Sequence, residues 1–244
     1  MERKEQSPRV LFKVTLMRHE KPYYKDEGHD LTPEGVERAT QTGKELREHG
    51  VIDGTTEDIY LVHSPVPRAK GTIDFVAKGA GLEHLPQHSI DQLRKSDFLD
   101  HDAFMERVAE LNHDAELVAK DHYTHQMHEE GKVIEPHTHK KERLYRAFEY
   151  LIRWFEKTAS RDKTPHVIAV SHYEVITHLL DDTFGMENLG RYNAPGFGET
   201  ISIEARETNQ KNRILLKIEF DGHTKEVYFD REHRSIEPVG DSEN

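Results

Sequence analysis

Three short segments of the sequence combine arginine, histidine and serine in a way that suits the binding of an anion. Arg18 and His19 lie in LMRHEKP, Ser64 and Arg68 in HSPVPRAKGT, and His172 in VIAVSHYEVI. Guanidinium groups match the oxygens of a phosphoryl group bidentately and stay charged at any ordinary pH. An imidazole held neutral beside them has a ring nitrogen free to attack phosphorus. These residue types therefore indicate phosphoryl chemistry.

Each segment follows a predicted buried strand, the first of which runs from about Val10 to Met17. The second strand is DIYLVHSP, and the third is the apolar run HVIAVS. Helix signals follow the first two strands: Thr32 as N-cap and Pro33 begin one helix that stops at Gly50, and PRAKGTIDFVAKGAG forms the other. Because ligands bind outside the carboxyl ends of parallel strands, we expect the three polar segments at one edge of the sheet.

The middle of the chain, from Asp100 to about Lys157, departs from this alternation of strand and helix. Its apolar residues recur at helical spacing in two stripes, which predicts two long helices: Phe104, Val108, Leu111, Ala115 and Val118, then Leu144, Phe148, Leu151 and Phe155. We expect residues 98–140 to form a helical cap over the substrate. Its histidines are interpreted as part of a solvated helix face rather than a metal site: His122, His125, His128, His137 and His139.

The last part of the chain alternates apolar and polar residues around turn signals, as antiparallel edge strands do. Residues 235–244 are predicted to be a polar, frayed tail. The expected fold over residues 1–244 is a single α/β domain. It is a three-layer sandwich with a mostly parallel central sheet, helices on both faces and the helical cap insertion.

Composition excludes several classes of function. The formal net charge of −12 should repel nucleic acid and anionic membranes, although a local basic pocket can still hold a small anion. The absence of cysteine excludes disulfides, thiolate nucleophiles and cysteine zinc sites. The N-terminal residues include no apolar stretch of signal-peptide length, so we expect a cytoplasmic protein. The two helical stripes permit a homodimer but are equally explained by packing within one domain.

Together and in this order, the three segments resemble the signature segments of the histidine phosphatase (phosphoglycerate mutase-like) superfamily. The resemblance implies that His19 is the nucleophile that becomes phosphohistidine, and that Arg18, Arg68 and His172 complete a phosphate pocket. Ser64 and the backbone N–H of Glu20 are further expected contacts to the substrate. The implied activity is a phosphomonoester hydrolase that needs no metal or other cofactor and takes a small phosphorylated substrate.

The sequence departs from the family pattern at two positions. Glu20 stands where the family commonly has glycine or alanine after the nucleophile. Lys95, in IDQLRKSDF, stands where many relatives have a glutamate that donates a proton to the leaving group. Asp97 is the first candidate for that donor, and Glu20 and Glu174 are the substitutes. If none of them serves, the enzyme needs substrates with good leaving groups.

Two other functions remain open from the sequence. A phosphoglycerate mutase-like transferase would use the same chemistry, but EKPYYKDEG after His19 does not resemble the mutase segment. A protein that binds phosphorylated ligands without turnover would explain the missing glutamate, although binding alone has no need of a nucleophile. The composition of the cap does not distinguish sugar phosphates, nucleotides and phosphopeptides as substrates.

Overall fold

The computed structural model describes residues 8–23, 31–158, 162–192 and 194–239. The first half of the sheet begins with two strand–helix units, as predicted: β1 (Val10–Arg18), α1 (Pro33–Glu48), β2 (Glu57–His63) and α2 (Pro67–Ala80). The predicted N-cap of α1 is confirmed, since the Thr32 hydroxyl accepts a hydrogen bond from the backbone N–H of Gly35 at 3.0 Å. This cap fixes where the helix starts relative to the end of β1.

The remaining elements follow in chain order. They are β3 (Gln87–Ser89), a 3-10 helix (Asp91–Leu93), α3 (His101–Glu110), α4 (Ala115–Lys120), α5 (His122–Glu130), α6 (His137–Thr158), β4 (Thr164–Ser171), α7 (Tyr173–Phe184), α8 (Met186–Leu189), β5 (Thr200–Arg206), β6 (Arg213–Phe220), β7 (His223–Asp230) and β8 (Ser235–Pro238). Among the described residues, no helix has both the length and the apolar character needed to cross a bilayer.

The eight described strands form one mixed sheet in the order β3-β2-β4-β1-β5-β6-β7-β8. The neighbours from β3 to β1 are parallel, whereas every pair from β1 to β8 is antiparallel. The prediction of a mostly parallel sheet therefore holds only for the half from β3 to β1, and the α/β fold is confirmed. The antiparallel half arises because β5 to β8 follow one another through short turns, which leave no room for crossover helices.

Helices cover the parallel half of the sheet on both faces, as predicted. On one face α1 and α2 pack against Met17, Leu61 and Ile168. On the other face α6 and α7 pack against the alternate residues of the same strands, including Leu16 and Val167. Because successive side chains of a strand point to opposite faces, each apolar strand serves both layers of the core.

Residues 101–130, predicted to form part of a cap, contain three short helices where one long helix was predicted. The chain breaks between α3 and α4, where Asn112 and His113 both take positive φ. Asp114 then caps α4, because its carboxylate accepts hydrogen bonds from two backbone N–H groups of the first turn. The helical spacing of the apolar residues is real, but local capping by Asp and Asn competes successfully with helix continuation.

The predicted frayed tail is partly wrong. Ser235–Pro238 forms β8, which pairs with β7 and places Glu237 2.7 Å from the guanidinium of Arg213. Ile236 packs against the core. Residues 240–244 lie outside the described part of the chain.

Candidate active site

The three polar segments meet at the carboxyl ends of β1, β2 and β4, where the sequence places them. The backbone N–H of His19 donates to the carbonyl of Ser171 at 3.0 Å, and that of Ser64 donates to the carbonyl of Val170 at 2.9 Å. These two bonds continue the parallel ladders by one residue beyond the strands. They bring side chains that are far apart in the chain to one point of the sheet edge.

His19 is oriented by hydrogen bonds at both ring nitrogens and is only 3% exposed. Its Nδ1 lies 2.8 Å from the carbonyl oxygen of Glu20, which can only accept, so Nδ1 carries the proton. Its Nε2 accepts a hydrogen bond from Nε of Arg68 at 2.9 Å. The lone pair of Nε2 therefore faces the guanidinium, so a phosphoryl group bound by Arg68 would lie next to this nitrogen.

His172 is fully buried and is held by the same arginine. Nη2 of Arg68 lies 3.1 Å from Nδ1 of His172, and the hydroxyl of Ser64 lies 2.7 Å from its Nε2. Because guanidinium only donates, Nδ1 is the acceptor and Nε2–H donates to Ser64. The rings of His19 and His172 are 5.1 Å apart between centroids. Arg68 thus joins the two histidines and sets the tautomer of the second, and Ser64 accepts the remaining N–H of that ring.

Both imidazoles are neutral in the folded protein. Burial, together with the neighbouring His172 and Arg68, lowers the pKa of His19 to about 2. Burial and the charges of Arg68 and Lys95 hold the pKa of His172 well below its usual value. A neutral His19 leaves Nε2 without a proton, so its electron pair can attack phosphorus once a bound phosphoryl group replaces the contact with Arg68.

Two helices begin at this edge and add to its affinity for anions. The residues before α2 and α7 are Val66 and His172, and neither makes a side-chain capping hydrogen bond. Helix N-termini carry partial positive charge and uncommitted N–H groups, both of which favour a bound anion. An anion at this position also explains Arg68 in the first turn of α2, where a cation would otherwise be unfavourable.

Arg18 reaches the edge through contacts that the sequence did not predict. Its Nη1 donates to the carbonyl of Pro195 at 3.0 Å, and its guanidinium lies 3.9 Å from the ring centroid of Phe197 and 5.2 Å from that of Tyr173. The Phe197 ring is also 5.7 Å from that of His19. The sequence contains only a weak indication of this role for Phe197, which is an aromatic residue between two glycines in the segment APGFGE.

The side chain of Glu20 is turned away from the pocket and lies under the segment APGFGE. Its carboxylate is 1% exposed, lies 3.5 Å from Nε of Arg38 and packs closely against Gly198. Burial raises the pKa of Glu20, and the charge of Arg38 opposes that rise. The backbone N–H, expected to contact the substrate, donates to the hydroxyl of Thr72 at 2.9 Å.

The segment expected to supply the proton donor runs beside His172. The carboxylate of Asp97 is 53% exposed and pairs with Arg94. Glu174 accepts a hydrogen bond from the backbone N–H of Ser96 at 3.0 Å. Lys95 belongs to the same segment, and its charge contributes to the lowered pKa of His172 after that of Arg68. The structure thus ties both candidate acids to other partners and leaves a lysine in the segment next to His172.

The histidines of the cap do not all lie on a solvated helix face, which corrects the sequence interpretation. His128 is 6% exposed and stacks on His137 at 3.8 Å between ring centroids. The ring of His137 also lies 5.2 Å from that of His178 of α7, measured between centroids. Nζ of the buried Lys140 lies 3.4 Å from Nδ1 of His128. We call these four residues the cap cluster. Within the described ranges, no three or more His, Asp or Glu side chains are placed to hold a metal ion.

Comparison with known proteins relates this geometry to one family. The family model of the histidine phosphatase superfamily (branch 1) matches residues 14–218. No curated protein matches the sequence significantly.

Solved structures share the fold at low sequence identity. A phosphoglycerate mutase from Bacillus anthracis str. Sterne is 18% identical with a TM-score of 0.61, over 93% of this chain and 96% of that one. A mycobacterial glucosyl-3-phosphoglycerate phosphatase is 15% identical with a TM-score of 0.57, over 86% and 97%. The alpha-ribazole phosphatase from Shigella flexneri is 21% identical with a TM-score of 0.50, over 82% and 92%. On the family model, which spans most of its length, this chain belongs to the histidine phosphatase superfamily.

Proposed function

We propose that this protein is a metal-independent phosphomonoester hydrolase that works through a phosphohistidine on Nε2 of His19. One observation carries the proposal: Nε of Arg68 points at the Nε2 lone pair from 2.9 Å, while Nη2 of the same guanidinium is 3.1 Å from His172. A phosphoryl group that replaces the contact between Arg68 and Nε2 and binds to the same guanidinium would bring its phosphorus next to the nucleophile. Such positioning is a large part of phosphoryl-transfer catalysis.

The reaction has two displacements. In the first, the Nε2–P bond of His19 forms, the P–O bond of the ester breaks, and the leaving oxygen takes a proton from an acid. In the second, water attacks phosphorus, the Nε2–P bond breaks, and the proton of water passes to the conjugate base of that acid. The bond from Nδ1–H to the carbonyl of Glu20 keeps the ring oriented in both steps.

Positive charge in the pocket takes the place of a divalent cation. Arg18 and Arg68 are permanently charged, and the helix N-termini of α2 and α7 add partial charge at the same edge. Charge that develops on the equatorial phosphoryl oxygens is thereby stabilised by groups already in place. EDTA should consequently leave the activity unchanged.

The proton donor for ester substrates is proposed among three carboxyl groups. Asp97 is the first candidate because it flanks the pocket on an exposed segment, although Arg94 competes for its carboxylate. Glu174 is the second, since it lies in the first turn of α7, two residues after His172. Glu20 is the third, and its burial under Gly198 argues against direct contact with a leaving group. Comparing Asp97→Asn, Glu174→Gln and Glu20→Gln on an alkyl phosphate identifies the donor by the largest loss of kcat, of about 10²-fold.

A mutase and a non-catalytic binder are the competing functions. Both would use the same arginines, but a mutase must keep its product bound for return of the phosphoryl group. A binder has no use for an oriented, neutral imidazole whose lone pair faces the anion site. The hydrogen bonds at both nitrogens of His19 therefore favour turnover.

The test is hydrolysis of p-nitrophenyl phosphate in the presence of EDTA, with wild type, His19→Ala and the cap variant His139→Ala as matched control. We expect His19→Ala to lower kcat/KM by at least about 10³-fold and His139→Ala to leave it unchanged, because His139 is exposed in the cap. Rapid denaturation during turnover should trap an acid-labile phosphoenzyme in wild type only. Binding of phosphate without turnover or phosphoenzyme would instead support the binder.

A further inference from the structure

The backbone on both sides of Lys95 is bonded to the residues that flank His172. The hydroxyl of Ser171 donates to the carbonyl of Leu93 at 2.9 Å, and Glu174 accepts from the backbone N–H of Ser96 at 3.0 Å. Ser171 and Glu174 lie on either side of His172 in the chain. The backbone of Lys95 is thus anchored on both sides to the strand end and helix start that form the pocket.

A third anchor comes from α6. The guanidinium of Arg143 donates to the carbonyl oxygens of Arg94 and Lys95 at 3.1 and 3.4 Å, and it pairs with Glu135 at 2.7 Å. Both partners of that pair are largely buried, so the arrangement is costly to rearrange. The position of Lys95 is therefore set by the fold and not by a loose surface loop.

The arginines around Lys95 have ion-pair partners, whereas Lys95 itself has none among the described residues. Arg94 pairs with Asp91 and Asp97, and Arg143 pairs with Glu135. In the part of the chain that the structure describes, Lys95 forms no salt bridge, and its ammonium lies 5.8 Å from the ring centroid of Phe98. Its charge is felt at His172, where it adds to that of Arg68 in lowering the pKa. The charge of Lys95 thus has no ion-pair partner among the described residues, and its segment is anchored beside the pocket proposed to bind the phosphoryl group.

The kind of leaving group follows from this placement. A leaving alkoxide needs a proton, and an ammonium is a much weaker acid than a carboxylic acid. A leaving phosphate is stable as an anion near neutral pH and needs only a countercharge. A cation at this position is accordingly matched to an anionic phosphate leaving group and poorly matched to an alcohol.

Resting on the proposed phosphoryl transfer to His19, we infer that the preferred substrate is a phosphoric anhydride and that Lys95 binds the phosphate that leaves. The Nε2–P bond forms, the P–O bond of the bridging oxygen breaks, and its electron pair stays on the leaving phosphate beside the ammonium. Water then cleaves the phosphohistidine. For inorganic diphosphate the net reaction consumes one water and gives two phosphates.

The test compares inorganic diphosphate with p-nitrophenyl phosphate, both in EDTA, for wild type, Lys95→Met, Lys95→Arg and the exposed cap control Lys132→Met. The nitrophenolate leaving group needs no proton but carries no second phosphate.

We expect Lys95→Met to lower kcat/KM for diphosphate by about 10- to 100-fold, as for a lost charge-assisted hydrogen bond. The same variant should change p-nitrophenyl phosphate hydrolysis by less than about 3-fold, and Lys95→Arg should restore most of the diphosphate activity. Lys132 is 77% exposed, and its variant should match wild type on both substrates.

The outcomes separate the inference from the proposed function. If wild type hydrolyses p-nitrophenyl phosphate but not diphosphate, or if Lys95→Met loses both activities equally, the inference is wrong and the phosphatase proposal stands. If neither substrate is hydrolysed and no phosphoenzyme forms, both are wrong. Thermal unfolding of each variant distinguishes loss of the contact from loss of the fold.

Discussion

Two regions of this molecule bury histidines beside a cation, and they differ in how those histidines are satisfied. In the pocket, both ring nitrogens of His19 and of His172 have hydrogen-bond partners within 3.1 Å. In the cap cluster, Nδ1 of His137 and Nε2 of His178 are buried without a hydrogen-bond partner among the described residues. Burial is the largest cause of the lowered pKa values in both regions.

The difference shows that burial and a low pKa do not by themselves make a reactive imidazole. What distinguishes His19 is a fixed tautomer whose Nε2 lone pair faces the guanidinium of Arg68. The rings of the cap cluster are neutral because they are desolvated and lie near Lys140, and one buried nitrogen each of His137 and His178 has no hydrogen-bond partner among the described residues. Hydrogen-bonded orientation is therefore the better criterion for a functional histidine in this fold.

The largest expected effect tests whether the pocket depends on the shape of its cation. Arg68→Lys keeps the charge but cannot contact His19 and His172 together, so kcat/KM for p-nitrophenyl phosphate should fall by about 10²-fold or more. Arg231→Lys is the matched control, because Arg231 is a part-buried guanidinium that pairs with Glu149 and Glu156 on α6. A loss of activity as large in the control as in Arg68→Lys would contradict the assignment.

The next effect tests how tightly the wall of the pocket is packed. An alanine at position 198 would place its Cβ 1.9 Å from Oε1 of Glu20, in a backbone with φ +71. Gly222 has a similar φ of +78 with no atom within 4 Å of the added carbon. Gly198→Ala should therefore lower the free energy of unfolding by about 1–3 kcal/mol more than Gly222→Ala, measured by denaturant titration. Equal losses would mean that Glu20 simply moves away.

A smaller effect is expected from removing a buried hydroxyl. Two serines allow a comparison, because one hydroxyl has a hydrogen-bond partner among the described residues and the other does not. Ser64→Ala leaves Nε2–H of the fully buried His172 unpaired, which should cost about 1–3 kcal/mol of unfolding free energy and about 10-fold in kcat/KM. The hydroxyl of Ser96 is equally buried, but the described residues give it no partner. Ser96→Ala should change the unfolding free energy by less than about 0.5 kcal/mol. Equal destabilisation would remove the proposed role of Ser64 as the hydrogen-bond partner of Nε2–H of His172.

The smallest effect is the acid sensitivity of the cap cluster. Burial lowers the pKa of His128 to about 4, of His137 to about 2 and of His178 to about 3. Between pH 6.5 and these values the unfolded chain binds more protons than the folded one, so stability falls as the pH falls. His178→Phe removes one of these groups. It should therefore reduce the slope of the unfolding free energy against pH by at most the contribution of one proton, about 1.4 kcal/mol per pH unit. The exposed control His139→Gln should keep the wild-type slope in denaturant titrations from pH 7 to pH 5. An unchanged slope in His178→Phe would mean that His178 is not held neutral.

Local sequence signals predicted the elements that hold the pocket. Apolar runs that end in polar residues marked the strand ends, and Thr32 with Pro33 marked the start of α1. Such signals are short in range and depend on backbone geometry alone. The same reasoning failed in the cap, where helical spacing of apolar residues did not reveal the break at Asn112.

Contacts between distant elements escaped prediction for a different reason. Phe197 reaches Arg18 only because the segment before β5 folds back over the end of β1. His128 is buried because His137 of α6 and Phe104 of α3 pack against it. No periodicity within α5 carries that information, since burial is decided by the neighbouring element.

By itself the sequence determined the chemistry available at the sheet edge: two guanidiniums and two imidazoles after strands, with a lysine near the place of an acid. The tertiary structure decided how these groups are used. It turned Glu20 under Gly198, paired Asp97 with Arg94 and left the charge of Lys95 beside His172. Residue types specify which interactions are possible, whereas hydrogen bonds and ion pairs between distant elements select among them.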